Sequence, residues 1–226
     1  GGWRRLVCTW PTVATRRGNA QAALTASTPR RSATVPPVPG ARRRRPTVVG
    51  GVRAVPGVGD EGDVDRAHGR DLHALLEVLP GVPPQDWPAA AARLLSSDAD
   101  VPTVLAEAGR LLQSAELGDV FAPGTLAEVP VTGTLAGIGR VSGVIDRLII
   151  TPEAVTVVDF KSNRVVPKTP ETCPDGILRQ MGAYSALIAP HYPERSIRTA
   201  ILWTVTAELM ILPHHLVTDA LTRAEL

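Results

Sequence analysis

The sequence predicts an α/β fold in which helices flank a central mixed sheet. Two observations carry this. Apolar residues recur at helical spacing from residue 72 and again from residue 177, and between and beyond these stretches lie short apolar runs of strand character, two of them joined by a three-residue turn.

Taken in order, Leu72, Leu75, Leu76 and Leu79 stand at i, i+3, i+4 and i+7, the buried stripe of a helix that Pro80-Gly81 ends. Residues 87–95 and about 103–117 read as two more helices, and Pro102 falls near the first turn of the second, where a missing N–H is tolerated. Residues 126–131, 141–150 and 155–161 read as strands, and Thr151-Pro152-Glu153 folds the last two into a hairpin. Residues 177–188 return to helical spacing, 197–203 and 208–212 read as strands, and the chain closes on a helix.

At 226 residues the chain has room for one generous domain, or one domain and a tail, on a scale of roughly 150 residues per domain. No apolar run approaches the roughly 20 residues of a membrane-spanning helix, which predicts a soluble protein without a membrane partner. Two cysteines, Cys8 and Cys173, cannot build a structural zinc site, an iron–sulfur cluster or a disulfide framework by themselves.

The net charge of +2 hides a division. Residues 1–59 carry eleven arginines and no lysine or acid, whereas residues 60–226 hold 13 basic and 22 acidic residues, a net of −9. A basic total therefore says nothing about the part that folds. Residues 1–65, rich in Arg and Pro and without sustained periodicity, are expected to be disordered or irregular, and residues 66–226 to form the domain. An acid-free, Arg-rich start also suits a targeting segment, although its many prolines oppose an amphipathic helix. Beginning on Gly1, the chain is expected to be a piece of something longer.

Chemistry concentrates in Gly143-Val144-Ile145-Asp146 and, thirteen residues after Asp146, in Asp159-Phe160-Lys161. Strand alternation sends Asp159 and Lys161 to one side and Phe160 to the other. Asp146, on the preceding hairpin strand, comes close to Asp159. Two carboxylates at that separation repel unless a divalent cation lies between them, and hard oxygen donors select Mg²⁺ or Mn²⁺. A lysine beside such a pair suits phosphodiester hydrolysis. Each piece has a plainer reading: Asp-x-Lys as a surface ion pair, Asp146 as a salt-bridge partner of Arg147, His73 as a packing residue beside the leucine stripe. Gln180 and Tyr184, four apart, share one helix face, and as a plain reading form a polar stripe.

As an ordered set, His73, Gly143-x-x-Asp146, Asp159-Phe160-Lys161 and Gln180-x-x-x-Tyr184 resemble the RecB-type branch of the PD-(D/E)XK nucleases. Gly69-Arg-Asp-Leu-His-Ala-Leu-Leu-Glu77, Gly143-Val-Ile-Asp-Arg-Leu148, Val158-Asp-Phe-Lys-Ser-Asn-Arg164, Arg179-Gln-Met-Gly-Ala-Tyr184 and Leu202-Trp-Thr204 are similar to the C-terminal nuclease domain of AddA-type helicase–nucleases. The resemblance covers about residues 66–226. It implies a restriction-endonuclease-like core and a Mg²⁺-dependent exonuclease acting on a single DNA strand during double-strand-break repair in the bacterial cytoplasm, with an AddA helicase region and an AddB-type subunit as partners. It implies that His73, Asp146, Asp159 and the main-chain carbonyl of Phe160 hold the metal. By the same resemblance Lys161 orients the attacking water, and Gln180 and Tyr184 brace the site or touch DNA. Glu128, on the strand before the motif, is an outer partner at most. No Gly-x-x-x-x-Gly-Lys-Ser/Thr loop occurs, so ATP hydrolysis is not expected. Two other readings stay open: a nuclease fold that binds DNA or a partner without cutting, and a stand-alone organellar nuclease whose Arg-rich start is a targeting signal.

Overall fold

The computed structural model describes residues 53–54 and 63–225. The chain divides into the units Gly1–Arg44 and Arg45–Leu226, and all described residues belong to the second. The expected disordered or irregular segment 1–65 lies outside the described residues, apart from β1 (Arg53–Ala54) and the start of α1 (Asp63–Val78).

The leucine stripe is the reason for α1: Leu72, Leu75, Leu76 and Leu79 are all fully buried. Pro80 ends the helix, and a single 3₁₀ turn, Leu79–Gly81, follows. In α2 (Trp87–Leu94), Ala90 and Ala91 face the core, and the Trp87 indole N–H donates to the Val82 carbonyl at 2.8 Å. The helix α3 (Val101–Leu112) starts at Asp100, whose carboxylate accepts the Thr103 N–H at 3.3 Å, with Pro102 in its first turn. It stops at Leu112, and the remainder of the helix expected to Leu117 is a separate 3₁₀ turn, Ala115–Leu117.

A six-stranded sheet follows. Its strands are β1, β2 (Leu126–Leu135), β3 (Gly139–Ile150), β4 (Ala154–Lys161), β5 (Ser196–Trp203) and β6 (Glu208–Leu212). Between β4 and β5 the chain crosses over through α4 (Asp175–Ile188), so those two strands run parallel; β2–β3, β3–β4 and β5–β6 are antiparallel. The last helix is α5 (His214–Thr222). Helices α1 to α3 cover one face, over Val158, Phe160, Ala200 and Leu202. On the other face, α4 and α5 cover Ile145, Leu148, Val155, Val157, Ile201 and Trp203. Gly182 sets the distance between those two helices, because a β-carbon there would lie 2.3 Å from the Val217 carbonyl oxygen.

Two details of β3 position the site. Along one edge it pairs with β2 for nearly its whole length, while the other edge is shared: β1 at Val141 and Ser142, β4 only from Arg147 onward. Beyond the Arg147↔Val158 pair, β3 and β4 diverge. The strand also rotates there. Ile145 packs on the α4 face, yet Arg147, two residues on and paired with Val158, reaches α1 on the opposite face. Residues two apart in a regular strand would share a face. The break falls at Asp146, and Glu128, which stands between the pairs Ala127↔Arg147 and Val129↔Ile145, takes a left-handed backbone with φ 49°. That conformation is rare for a non-glycine residue, and such strain gathers at functional sites.

Candidate active site

Asp146 and Asp159 are the first residues past the end of the β3–β4 ladder, and Asp146 fills the place of a lost ladder bond by accepting the Phe160 N–H on Oδ2 at 2.6 Å. Its other oxygen, Oδ1, is 3.3 Å from His73 Nδ1. Glu128 comes in from β2, and one donor atom each from His73, Glu128 and Asp146 lie within 4.8 Å of one another. The Phe160 ring, turned to the α1 face, meets the His73 ring edge-on at 5.5 Å between centroids.

On the α4 side, Lys161 Nζ lies 2.8 Å from Asp159 Oδ2 and donates to Gln180 Oε1 at 3.1 Å. The Gln180 amide nitrogen donates to Asp159 Oδ1 at 3.0 Å and to the Tyr184 hydroxyl oxygen at 3.2 Å. That hydroxyl in turn donates to the Val144 carbonyl at 2.9 Å. Gln180 and Tyr184 are both buried, and these contacts describe a brace between α4 and the two strands. The glycine of the Gly143-x-x-Asp146 segment has a steric reason here: a β-carbon at Gly143 would sit 2.6 Å from the Tyr184 ring and 2.7 Å from its hydroxyl.

Burial shifts the charges of the site. It raises the Glu128 carboxyl above its ordinary pKa, and Asp146 adds to the effect. Burial also raises Asp159, against the pull of Lys161 and with the push of Asp146. For His73 burial works downward, but the charge and hydrogen bond of Asp146 outweigh it and the ring ends above its ordinary value. Tyr184 is raised, chiefly by burial, and stays neutral.

This donor set fits a divalent cation. Two carboxylates and an imidazole converge there, burial penalises the charges of Glu128 and His73, and Asp159, whose Oδ2 is paired with Lys161 at 2.8 Å, stands adjacent to them. Of the residues expected from the sequence to hold metal, His73 and Asp146 come together. Asp159 and Phe160 stand beside them, Asp159 engaged by Lys161 and Gln180, and Phe160 presenting its N–H to Asp146. Glu128 is closer in than an outer partner, since it stands in the cluster itself. The register of β2 on β3, with Ala127 opposite Arg147 and Val129 opposite Ile145, brings residue 128 to the level of residue 146. The expected alternative of an Asp146–Arg147 salt bridge is not what forms: Arg147 turns away and donates from Nη2 to the Leu76 carbonyl, because it follows the Val158 face of the sheet.

The sequence model of the PD-(D/E)XK nuclease superfamily matches residues 48–220. This chain belongs to that superfamily. Its members generally hydrolyse phosphodiester bonds of nucleic acids with divalent metal ions, and the central mixed sheet with helices on both faces is the expected fold. Asp146 and Asp159-Phe160-Lys161 all lie within the matched span. Among solved structures, the crystal structure of SSO0001 is similar at 12% identity over 69% of this chain and 72% of that one, with a TM-score of 0.32. No curated protein matches. Among the described residues, no helix is long and apolar enough to cross a membrane.

Proposed function

We propose that this chain is a Mg²⁺-dependent deoxyribonuclease, with Mn²⁺ as a substitute. In this reading it removes nucleotides from a single DNA strand, as the nuclease part of an AddA-type helicase–nuclease working with an AddB-type subunit in double-strand-break repair. The observation that carries the nuclease reading is the convergence of His73, Glu128 and Asp146 beside Asp159 and Lys161. The assignment to DNA, to one strand and to repair rests on the resemblance of the quoted segments.

His73, Glu128, Asp146 and Asp159, with the main-chain carbonyl of Phe160, would hold the cation. When bound, the cation supplies Lewis acidity toward a phosphoryl oxygen and acidifies a water. Lys161 is aimed by its contacts with Asp159 Oδ2 and Gln180 Oε1, so its ammonium orients the attacking water and stabilises the charge that develops on the phosphate. Gln180 cannot turn its amide over without facing its oxygen to Asp159 and its nitrogen to Lys161, so it fixes the geometry of both. Tyr184 locks Gln180 to the Val144 carbonyl.

The test is incubation of the full chain with end-labelled single-stranded DNA, duplex DNA and RNA, with Mg²⁺ or with EDTA, and with or without ATP. The proposal expects metal-dependent shortening of the single strand, independent of ATP, with duplex ends poorly used until a motor opens them. Residues 60–226, with a net of −9, add little field of their own to draw DNA in. Metal binding without any cleavage would favour a non-cutting module, and cleavage of RNA alone would overturn the DNA assignment.

A further inference from the structure

Arg147 is only 3% exposed, and its partners are a main-chain carbonyl and an aromatic ring rather than a carboxylate. An arginine almost never sits so deep without a reason. The reason begins with Pro80. In a continuing helix the Leu76 carbonyl would accept the N–H of residue 80, which proline lacks. The carbonyl is left open at the end of α1, a helix with no basic residue in its last turn and with Glu77 there instead. The guanidinium of Arg147 supplies from β3 both the missing donor and the positive charge that a helix C-terminus favours.

Leu76 lies three residues after His73, and Arg147 follows Asp146 directly. Two successive residues of β3 therefore grip α1 at two points one turn apart: Asp146 at the His73 ring, Arg147 at the Leu76 carbonyl. Two points fix the rotation of a helix where one would leave it free to roll. The grip closes through rings. Arg147 stacks over Phe121 at 5.3 Å, Phe121 meets Phe160 at 5.9 Å, and Phe160 meets His73 at 5.5 Å. The pieces lie 71 and 26 residues apart in sequence from Arg147 to Leu76 and Phe121, so no local preference of the chain would assemble them.

We propose that Arg147 is a positioning residue that sets the roll of α1, and thereby presents the His73 ring to the cation held with Glu128 and Asp146. The proposal rests on the metal-site reading above. It concerns how the site is aimed rather than what binds it. A lysine would keep the charge but lose the planar fork that reaches the carbonyl while stacking on Phe121.

The experiment is calorimetric titration of Mn²⁺ into the full chain at one fixed pH, for the unaltered protein, Arg147→Lys, His73→Ala and the double variant. Arg147→Lys should weaken Mn²⁺ about ten- to a hundredfold, the range for losing a group that orients a metal ligand. In the His73→Ala background the same change should have almost no further effect, because it acts through that ring. A general loosening of the fold would instead give the same loss in both backgrounds, which would overturn the proposal, as would unchanged affinity in Arg147→Lys. Should Arg147→Lys not fold, Phe121→Leu loosens the same grip: a smaller loss cancelled by His73→Ala supports the proposal, and unchanged affinity overturns it. If the unaltered chain takes up no Mn²⁺, the metal-site reading itself falls and this inference with it. Binding by the unaltered chain with no effect of Arg147→Lys removes this inference alone.

Discussion

On the α4 flank of the site, Lys161, Gln180 and Tyr184 form a run of contacts from Asp159 to the Val144 carbonyl, all between groups whose charges or dipoles answer one another. On the α1 flank, His73, Glu128 and Asp146 bring two carboxylates and one ring together, with Glu128 on left-handed backbone and pushed toward its neutral form. The first flank is settled by the protein alone. On the second, like charges gather around one ring, and the left-handed backbone of Glu128 adds strain to that repulsion.

The largest expected effect breaks both flanks functionally but only one structurally. Asp146→Ala and Asp159→Ala should each bring DNA cleavage below detection, since each removes a charged donor from the site. Their thermal midpoints should diverge. Asp146→Ala relieves repulsion with Glu128 and Asp159, which offsets its lost hydrogen bond, whereas Asp159→Ala strips Lys161 and Gln180 of their partner. Equal thermal shifts for the two variants would erase the distinction between the flanks.

Next in size, Lys161→Ala should leave Mn²⁺ binding nearly intact and slow cleavage by at least roughly a hundredfold, the scale for one charge-stabilising group. A loss of metal affinity as large as the loss of rate would move Lys161 from the chemistry to the support of Asp159. Gly143→Ala comes third. Its β-carbon would press into the Tyr184 ring, an overpacking cost of about 1–3 kcal/mol readable by chemical denaturation, and cleavage should fall as the brace shifts. Unchanged stability would mean that Tyr184 can step aside without consequence.

The smallest effect is a slope with pH. Glu128, Asp159 and His73 all have folded pKa values above their ordinary ones. A raised group stabilises the fold fully below its unfolded pKa and loses that contribution as pH rises through the folded one. Without metal, the thermal midpoint should therefore decline as pH climbs from about 4, where free carboxyls titrate, to above the ordinary histidine value of about 6.5. Added Mg²⁺ should flatten the decline, and Glu128→Gln should lessen it. A midpoint that rises over this interval in metal-free buffer would contradict the account of the α1 flank.

Much of this was legible in the sequence, for reasons that differ by residue. The leucine stripe of α1, the β3–β4 hairpin and the helical spacing of α4 are local patterns, and each element stands within a few residues of where its periodicity put it. Gln180 and Tyr184 were readable as a pair because four residues set them on one face of α4. The extension of β2 through Thr132–Leu135 was not legible, since Thr132, Gly133 and Thr134 owe their strand to pairing with β3 and not to their own pattern. The place of Glu128 needed the register of β2 on β3, and its backbone conformation needed the rotation at Asp146. Adjacency in sequence offers Asp146 as a partner for Arg147, and the strand geometry turns the two side chains apart.

Gly182 has a bearing on how far the chain could be shortened. With the Val217 carbonyl occupying the space where its β-carbon would be, α4 rests on α5 backbone to backbone, two residues from Gln180. A protein trimmed after Leu212 would keep every residue of the candidate site, and would still open a gap behind Gln180 that no side chain of α4 can fill. The final helix contributes no residue to the candidate site, yet a shortened chain that keeps α4 packed has to include it.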